Sequence, residues 1–169
     1  MIVSVCNDEL KWGRHLFVGE YCNRNVLIVG RGDSVIKAAK LMRQHHVGEL
    51  LVVELRNGER SPIGILTDRD IVIDVIAEEA NLNAISVEDI MSYKIITANE
   101  NDDLMSTIKR MRNNGMRRIP VVNSAGGLIG VLSINDIMDV ITEQLIDIDQ
   151  IIENENINER ENRPTISRH

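Results

Sequence analysis

Apolar positions along the chain switch between helical and extended spacing, and they do so in the same order twice. In the first series four residues recur at i, i+3, i+4 and i+7: Val35, Ala38, Ala39 and Met42. This period predicts an amphipathic helix over residues 34–46, followed by two strands over 50–55 and 62–67. The second series predicts a helix with Leu104, Thr107, Ile108 and Met111 on one face. Strands over 119–122 and 128–132 are predicted to follow it.

The two series are copies of one unit. Residues 18–53 align without a gap on residues 87–122 at an offset of 69, and after one loop the match resumes at 66. The segment 64–71, GILTDRDI, then recurs as 130–137, GVLSINDI. Internal repetition is the strongest sequence signal of architecture. We therefore expect one supersecondary unit used twice.

The repeat sets the expected organisation of the chain. Its closing helix is predicted from about residue 68 to residue 79 in the first copy and from residue 135 in the second. The residues after 146 are predicted to extend the last helix by a turn or two, and their Asn, Glu and Arg content predicts disorder from residue 153 onwards. The predicted parts are an N-terminal arm (1–17), a first repeat (18–79), a linker (80–86), a second repeat (87–146) and a polar tail (147–169).

Composition narrows the class of protein. The 169 residues are 43% hydrophobic but only 2% aromatic, and the net charge is −7. The chain has few aromatic side chains that could stack on bases, and its net charge is negative. Both properties argue against nucleic-acid binding. Cys6 and Cys22 are too few for a disulfide framework or a zinc site, which fits a reducing cytoplasm, and we expect them to be small, partly buried side chains. The sequence shows neither a signal peptide nor an apolar run long enough to span a membrane.

The repeated polar motif is Thr67-x-x-Asp70 in the first copy and Ser133-x-x-Asp136 in the second. Each motif stands where a strand is predicted to end and a helix to begin. One interpretation is a helix cap, in which the hydroxyl accepts a backbone N–H and the acid favours the positive helix end. The other is a ligand site, because a helix N-terminus attracts phosphate and a carboxylate binds ribose hydroxyls. The motif alone leaves both open.

The chain resembles the cystathionine β-synthase (CBS) domain family, in the tandem arrangement called a Bateman module. The resemblance covers about residues 18–146 and rests on four segments: 115–122, 130–137 and, more weakly, 46–53 and 64–71. It implies a mixed α/β (α+β) fold of two β-α-β-β-α units, packed sheet to sheet about a pseudo-twofold axis. It further implies two clefts for AMP, ADP or ATP, or alternatively S-adenosylmethionine or NAD, in a non-catalytic regulatory homodimer.

The resemblance also implies roles for residues at matching positions. The carboxylates would accept the ribose hydroxyls, the motif hydroxyls would line the ribose-phosphate side, and one arginine would reach phosphate. The carboxylates are those of Asp70 and Asp136, the hydroxyls those of Thr67 and Ser133, and the arginine is Arg69. Ile28, Thr97, Val47 and Met116 would enclose the adenine ring. For Val47 and Met116, ordinary core packing remains an alternative.

The copies differ in charge just before their second strand. Arg117-Arg118 corresponds to Gly48-Glu49 at the offset of 69. Because the family often draws phosphate contacts from this position of the partner repeat, the cleft of Asp70 should receive both arginines and suit a phosphate. The other cleft should face Glu49 and favour a nucleoside, S-adenosylmethionine or no ligand.

Two other classes of function remain. A structural protein would use both motifs only as helix caps and would recruit an unidentified protein partner through its dimer and tail. An enzyme is disfavoured, because Asp70 and Asp136 are expected in separate clefts and no nucleophile or glycine-rich motif is present. His45 and His46 are adjacent on a helix and diverge, which argues against a metal site.

Overall fold

A computed structural model describes residues 16–162 of the chain. All of the predicted arm except Leu16 and Phe17 lies outside the described residues, including Cys6. Residues 163–169 of the predicted tail also lie outside them.

The first repeat forms a three-stranded sheet with helices around it. Ser34 caps the main helix by accepting the backbone N–H of Lys37 at 3.2 Å, and His46 ends it in the left-handed conformation. The described elements are α1 (Val18–Tyr21), β1 (Ile28–Gly30), α2 (Val35–His45), β2 (Glu49–Arg56), β3 (Glu59–Thr67) and α3 (Asp68–Asp70), with a π-helical segment (Ile71–Ile76) after α3.

The second repeat has the same order of elements. These are α4 (Val87–Ile90), β4 (Ala98–Asn99), α5 (Leu104–Asn113), β5 (Arg118–Val122), β6 (Leu128–Ser133) and α6 (Ile134–Asn162). In each sheet the central strand is parallel to the first and antiparallel to the third. Both hairpins carry an irregularity at equivalent places, Val52/Val53 and Val121/Val122. The predicted mixed α+β fold of two equivalent units is confirmed.

Two predicted helices end differently from expectation. The first closing helix was expected to run from 68 to 79, but it changes to π-helical spacing at Ile71, and Ala77 N–H bonds to Val72 O at 2.9 Å. Five of the six residues in that segment are β-branched, and such side chains crowd an α-helix. The prediction of disorder from residue 153 is wrong as far as Asn162, because α6 continues to that residue. Residues 134–162 contain neither glycine nor proline to stop the helix.

Each repeat contributes side chains to the core of the other, and we call this arrangement the exchange. The core built on β1, β2 and β3 includes Val87 and Met91, which belong to the second repeat in sequence. The core built on β4, β5 and β6 includes Val18 and Cys22 of the first repeat. Cys22 is buried, as expected from its sequence, and burial raises the pKa of its thiol. Each repeat is therefore completed by the short helix that opens the other one.

Backbone hydrogen bonds hold this exchange at two equivalent points. Asn23 pairs with Val131 of β6, and each N–H donates to the other carbonyl at 2.9 Å. Ser92 pairs in the same way with Ile65 of β3, at 2.9 and 3.0 Å. The segment after each short helix thus lies along the third strand of the opposite sheet. These reciprocal bonds define the pseudo-twofold relation.

We call the segment after each short helix, which contains Asn23 or Ser92, a crossing segment, and a glycine lies beneath each one. A Cβ atom on Gly64 would be 2.7 Å from Ser92 O, and one on Gly130 would be 2.7 Å from Asn23 O. Atoms this close must move apart, and here the obstacle is backbone that is itself hydrogen-bonded. The glycine that opens GILTDRDI and GVLSINDI is therefore required for the two repeats to approach.

We predict that Gly64→Ala lowers the free energy of unfolding by about 1–3 kcal/mol, because the added methyl forces the crossing segment away from β3. Urea unfolding of the variant and the wild type measures the difference. Gly32→Ala is the matched control, since Gly32 has ordinary φ and nothing within 4 Å of its Cβ position. Equal stability of the two variants would contradict the proposed role of the close approach.

Candidate functional site

The exchange leaves two clefts between the repeats. The first, of about 530 Å³, combines the end of β3 with the approach to β5. The second, of about 440 Å³, combines the end of β6 with the approach to β2. The first cleft is lined by residues that include Glu49, Thr67, Asp70, Lys94, Ile96, Met116, Arg117 and Arg118. The second is lined by residues that include Asn25, Leu27, His46, Val47, Ser133 and Asp136.

Each motif carboxylate is fixed by the hydroxyl residue three positions before it. Asp70 Oδ2 accepts the backbone N–H of Thr67 at 2.8 Å and its hydroxyl at 2.7 Å. Asp136 Oδ2 accepts the corresponding groups of Ser133 at 2.7 and 2.6 Å. Among the described residues, neither Oδ1 atom receives a hydrogen bond. Each carboxylate is therefore held rigidly by one oxygen and can accept ligand hydroxyls with the other.

A third Ser/Thr-x-x-Asp motif with the same internal hydrogen bonds shows what the motif does by itself. We call each such motif a capping box. Asp89 Oδ2 accepts the Ser86 N–H at 2.8 Å and its hydroxyl at 2.6 Å, and these bonds lower the pKa of Asp89. This box begins α4 and lines neither cleft. Ser/Thr-x-x-Asp is thus a helix start in all three places. Only position in the fold brings two of the three boxes to a cleft.

The two residues expected against an adenine ring from the pre-strand loops do line the clefts. Met116 lies in the first cleft and Val47 in the second, and each also packs against a core. These two side chains can therefore pack in a core and still face the space where an adenine ring is expected.

The other two expected ring contacts are off by one residue. Leu27 and Ile96 line the clefts, whereas Ile28 and Thr97 do not. Because side chains alternate along extended chain, the residues one position later point to the other face. The repeat alignment itself is unaffected, since Leu27 and Ile96 also correspond at the offset of 69.

Arg117 and Arg118 both line the first cleft, but Arg69 and Lys94 are placed differently from the sequence prediction. Arg69 is exposed and lines neither cleft, because neighbours on a helix diverge and Asp70 takes the inward direction. Lys94 lines the first cleft and was missed. The alignment pairs Lys94 with Asn25, so the charge difference between the copies was a signal that could have identified it.

Glu49 and Arg118 form an ion pair between the clefts. Arg118 Nη1 lies 2.8 Å from Glu49 Oε1, and both residues line both clefts. The sequence places Glu49 at the second cleft, and the structure places it at the first cleft as well. The reason is symmetry: the two residues occupy equivalent positions and meet where the repeats face each other.

The two clefts nevertheless differ in charge. The first holds three cationic side chains against the carboxylates of Glu49 and Asp70: Lys94, Arg117 and Arg118. The second holds the Arg118 guanidinium against the carboxylates of Glu49 and Asp136. The first cleft is the better anion site on formal charge.

Within residues 16–162, His, Cys, Asp and Glu side chains form no group of three or more that could hold a metal ion. None of the described helices has the length and apolar content needed to cross a bilayer.

Comparison with known proteins identifies the repeats. The model of the CBS domain family matches residues 18–76 and 87–143. An uncharacterised protein of Methanopyrus kandleri, MK0525, is 35% identical over 127 residues, which cover 75% of this chain and 63% of that protein. The chain thus matches less than two thirds of that relative's length.

Solved structures share the fold. The hexameric CBS-CP12 protein from bloom-forming cyanobacteria has a TM-score of 0.58 and 28% identity, covering 73% of this chain and 69% of that one. The CBS domain pair of protein MJ0100, solved with 5-methylthioadenosine and S-adenosyl-L-methionine, has a TM-score of 0.60 and covers 76% of this chain and 97% of its own. Its identity of 23% supports similarity of fold alone.

We predict that Ser133→Ala and Ser86→Ala each lower the free energy of unfolding by about 1 kcal/mol, because each removes the hydroxyl of a helix cap. Urea unfolding measures both, and Ser124→Ala, at an exposed turn position, is the control. Unchanged stability of both variants would contradict a stabilising role for these hydroxyls.

Proposed function

The chain belongs to the CBS domain family, and on that premise we propose that it is a non-catalytic sensor of adenine nucleotides bound between its repeats. The observation that carries the proposal is the meeting of the Asp70 carboxylate with three cationic side chains in the first cleft: Lys94, Arg117 and Arg118. This cleft offers separate groups for a sugar, a base and a phosphate.

The proposed fit follows from the chemistry of each wall. The unbonded Oδ1 of Asp70 accepts ribose hydroxyls, while Ile96 and Met116 provide apolar surface for the adenine ring. The cationic side chains then bind the phosphates, with Arg117 and Arg118 able to form paired hydrogen bonds to phosphate oxygens. A volume of about 530 Å³ suits a ligand of nucleotide size.

The two clefts are proposed to select different adenosine compounds. AMP, ADP or ATP fits the charge of the first cleft. The second cleft has two carboxylates and the one guanidinium of Arg118, so it favours a neutral or cationic adenosine compound such as S-adenosylmethionine over a nucleotide. The ligands of the MJ0100 domain pair support an adenosine compound as the general class. NAD remains a further candidate.

Binding is proposed to act through association with a protein partner or a second copy of the chain. The helical faces of the repeats expose apolar side chains, among them Val72 and Ile76 at 56% and 57%. Exposed apolar patches of this kind typically mark interaction sites. A purely structural role is the alternative, and the ligand panel below separates it from sensing. Asp70 and Asp136 line different clefts, which supports a non-catalytic assignment.

We predict that AMP, ADP or ATP raises the thermal midpoint, and that calorimetric titration detects binding to the first cleft. Asp70→Asn should weaken this binding roughly 10- to 100-fold, because a charged hydrogen-bond acceptor to the ribose is lost. Asp136→Asn is the matched control and should leave nucleotide affinity nearly unchanged. The panel also includes NAD and S-adenosylmethionine, and a lack of response to every compound would favour the structural role.

We predict that Glu49→Gln strengthens nucleotide binding roughly two- to fivefold, because Arg118 is released from its exposed ion pair to face phosphate. Titration calorimetry at fixed salt measures the change. Glu88→Gln is the control: it removes the same charge from an ion pair with Arg31, away from both clefts. Equal effects of the two variants would mean that only net charge matters.

A further inference from the structure

Helix α6 continues well past the core of its repeat. Ile137 and Val140 are buried in that core, but every residue from 141 to 159 is exposed. These 19 positions correspond to about 28 Å of helix at 1.5 Å per residue. Within residues 16–162, no other element covers this extension.

The exposed helix carries an apolar stripe with the spacing of a coiled coil. Six residues follow one another at intervals of 4, 3, 4, 3 and 4, and their exposure ranges from 42% to 60%. We call them the seam: Ile134, Met138, Ile141, Leu145, Ile148 and Ile152. Written as a heptad, Met138, Leu145 and Ile152 occupy position a, while Ile134, Ile141 and Ile148 occupy position d. An average interval of 3.5 residues keeps such a stripe facing a partner helix.

We propose that the seam binds the seam of a second copy of this chain, forming a short coiled coil beyond the nucleotide-binding module. A helix that leaves an apolar stripe in water has little stability of its own. A second copy offers the same heptad stripe over the same length, so both stripes are covered in one contact. Knobs at a and d enter holes formed by the equivalent residues of the partner.

The charges on α6 favour a second copy over other occupants. Residues 134–159 contain eight acidic side chains and neither lysine nor arginine, which opposes contact with an anionic membrane or nucleic acid. Along the seam, most acids lie at the outward heptad positions b, c and f: Asp136, Asp139, Glu143, Asp147 and Glu153. From Met138 to Ile152, the flanking positions e and g, which a partner helix contacts, include a single acid, Asp149. The others are Thr142, Gln144 and Ile151.

Between residues 138 and 152 this distribution places little like charge between two copies of α6. A basic partner helix would meet mostly uncharged groups at the positions where its own charges should pair. The next d and a positions are Glu155 and Glu159, so the apolar seam ends after Ile152. A copy displaced by one heptad in a parallel pair would bring Glu155 against Ile148. The acidic end therefore disfavours that displaced register.

Light scattering of the full chain over a dilution series tests the proposal. The wild type should be dimeric, and Leu145→Glu should raise the dimer dissociation constant roughly 100-fold, because it buries a carboxylate in the seam. Ile146→Glu is the matched control, since the neighbouring residue is similarly exposed, 52% against 60%, but lies at position b. It should remain dimeric. Circular dichroism should show helicity falling with dilution in the wild type and being lower in Leu145→Glu.

Three outcomes would overturn the proposal: a monomeric wild type, equal effects of the two glutamate variants, or a dimer that survives Leu145→Glu. In the last case, loss of the dimer in Val72→Glu would instead place the interface on the helical face of the module. The seam lies outside both clefts, so Leu145→Glu should leave the calorimetric response to nucleotides intact. Calorimetry therefore tests nucleotide binding, and light scattering tests the seam, so the failure of one proposal is distinguishable from the failure of the other.

Discussion

The structure depends on the close approach of two backbone segments to the third strand of the opposite sheet. At each approach a pair of N–H···O bonds of 2.9 to 3.0 Å joins the repeats, and Gly64 or Gly130 leaves the space that the crossing chain occupies. Hydrogen bonds in such a position are short-range and directional, so they set the orientation of the repeats more strictly than apolar packing does. The exchanged residues Val18 and Val87 then complete the two cores.

The same crossing makes the clefts composite. A strand end from one repeat brings its capped aspartate, and the crossing segment and pre-strand loop of the other bring the apolar and cationic side chains. Neither repeat could form such a cleft alone. Any ligand bound there contacts both repeats, and its affinity therefore depends on their relative position. This gives the proposed sensor a physical means of reporting occupancy.

Departures from symmetry distinguish the two halves. At the centre, equivalent positions hold Glu49 and Arg118, which attract each other across the pseudo-axis and belong to both clefts. At the edges, Lys94 and Asn25 give the clefts different charge. At the ends, the first repeat closes with a short π-helical segment and the second with the 29-residue α6. The first two differences concern the charge of the clefts, and the third supplies the proposed surface for a second copy.

Periodicity and repetition were enough to predict α2, α5, both hairpins and the duplicated fold, because local spacing decides which face of each element is apolar. They also identified the motif carboxylates. The partners of those carboxylates were decided by tertiary structure: Lys94 is brought to Asp70 by the crossing segment, and Arg69 is turned away by one residue of helix. The sequence by itself determined the unit, its duplication and the residue types of the site. Only the packing of one copy against the other decided which side chains share a cleft, because those contacts join residues far apart in the chain.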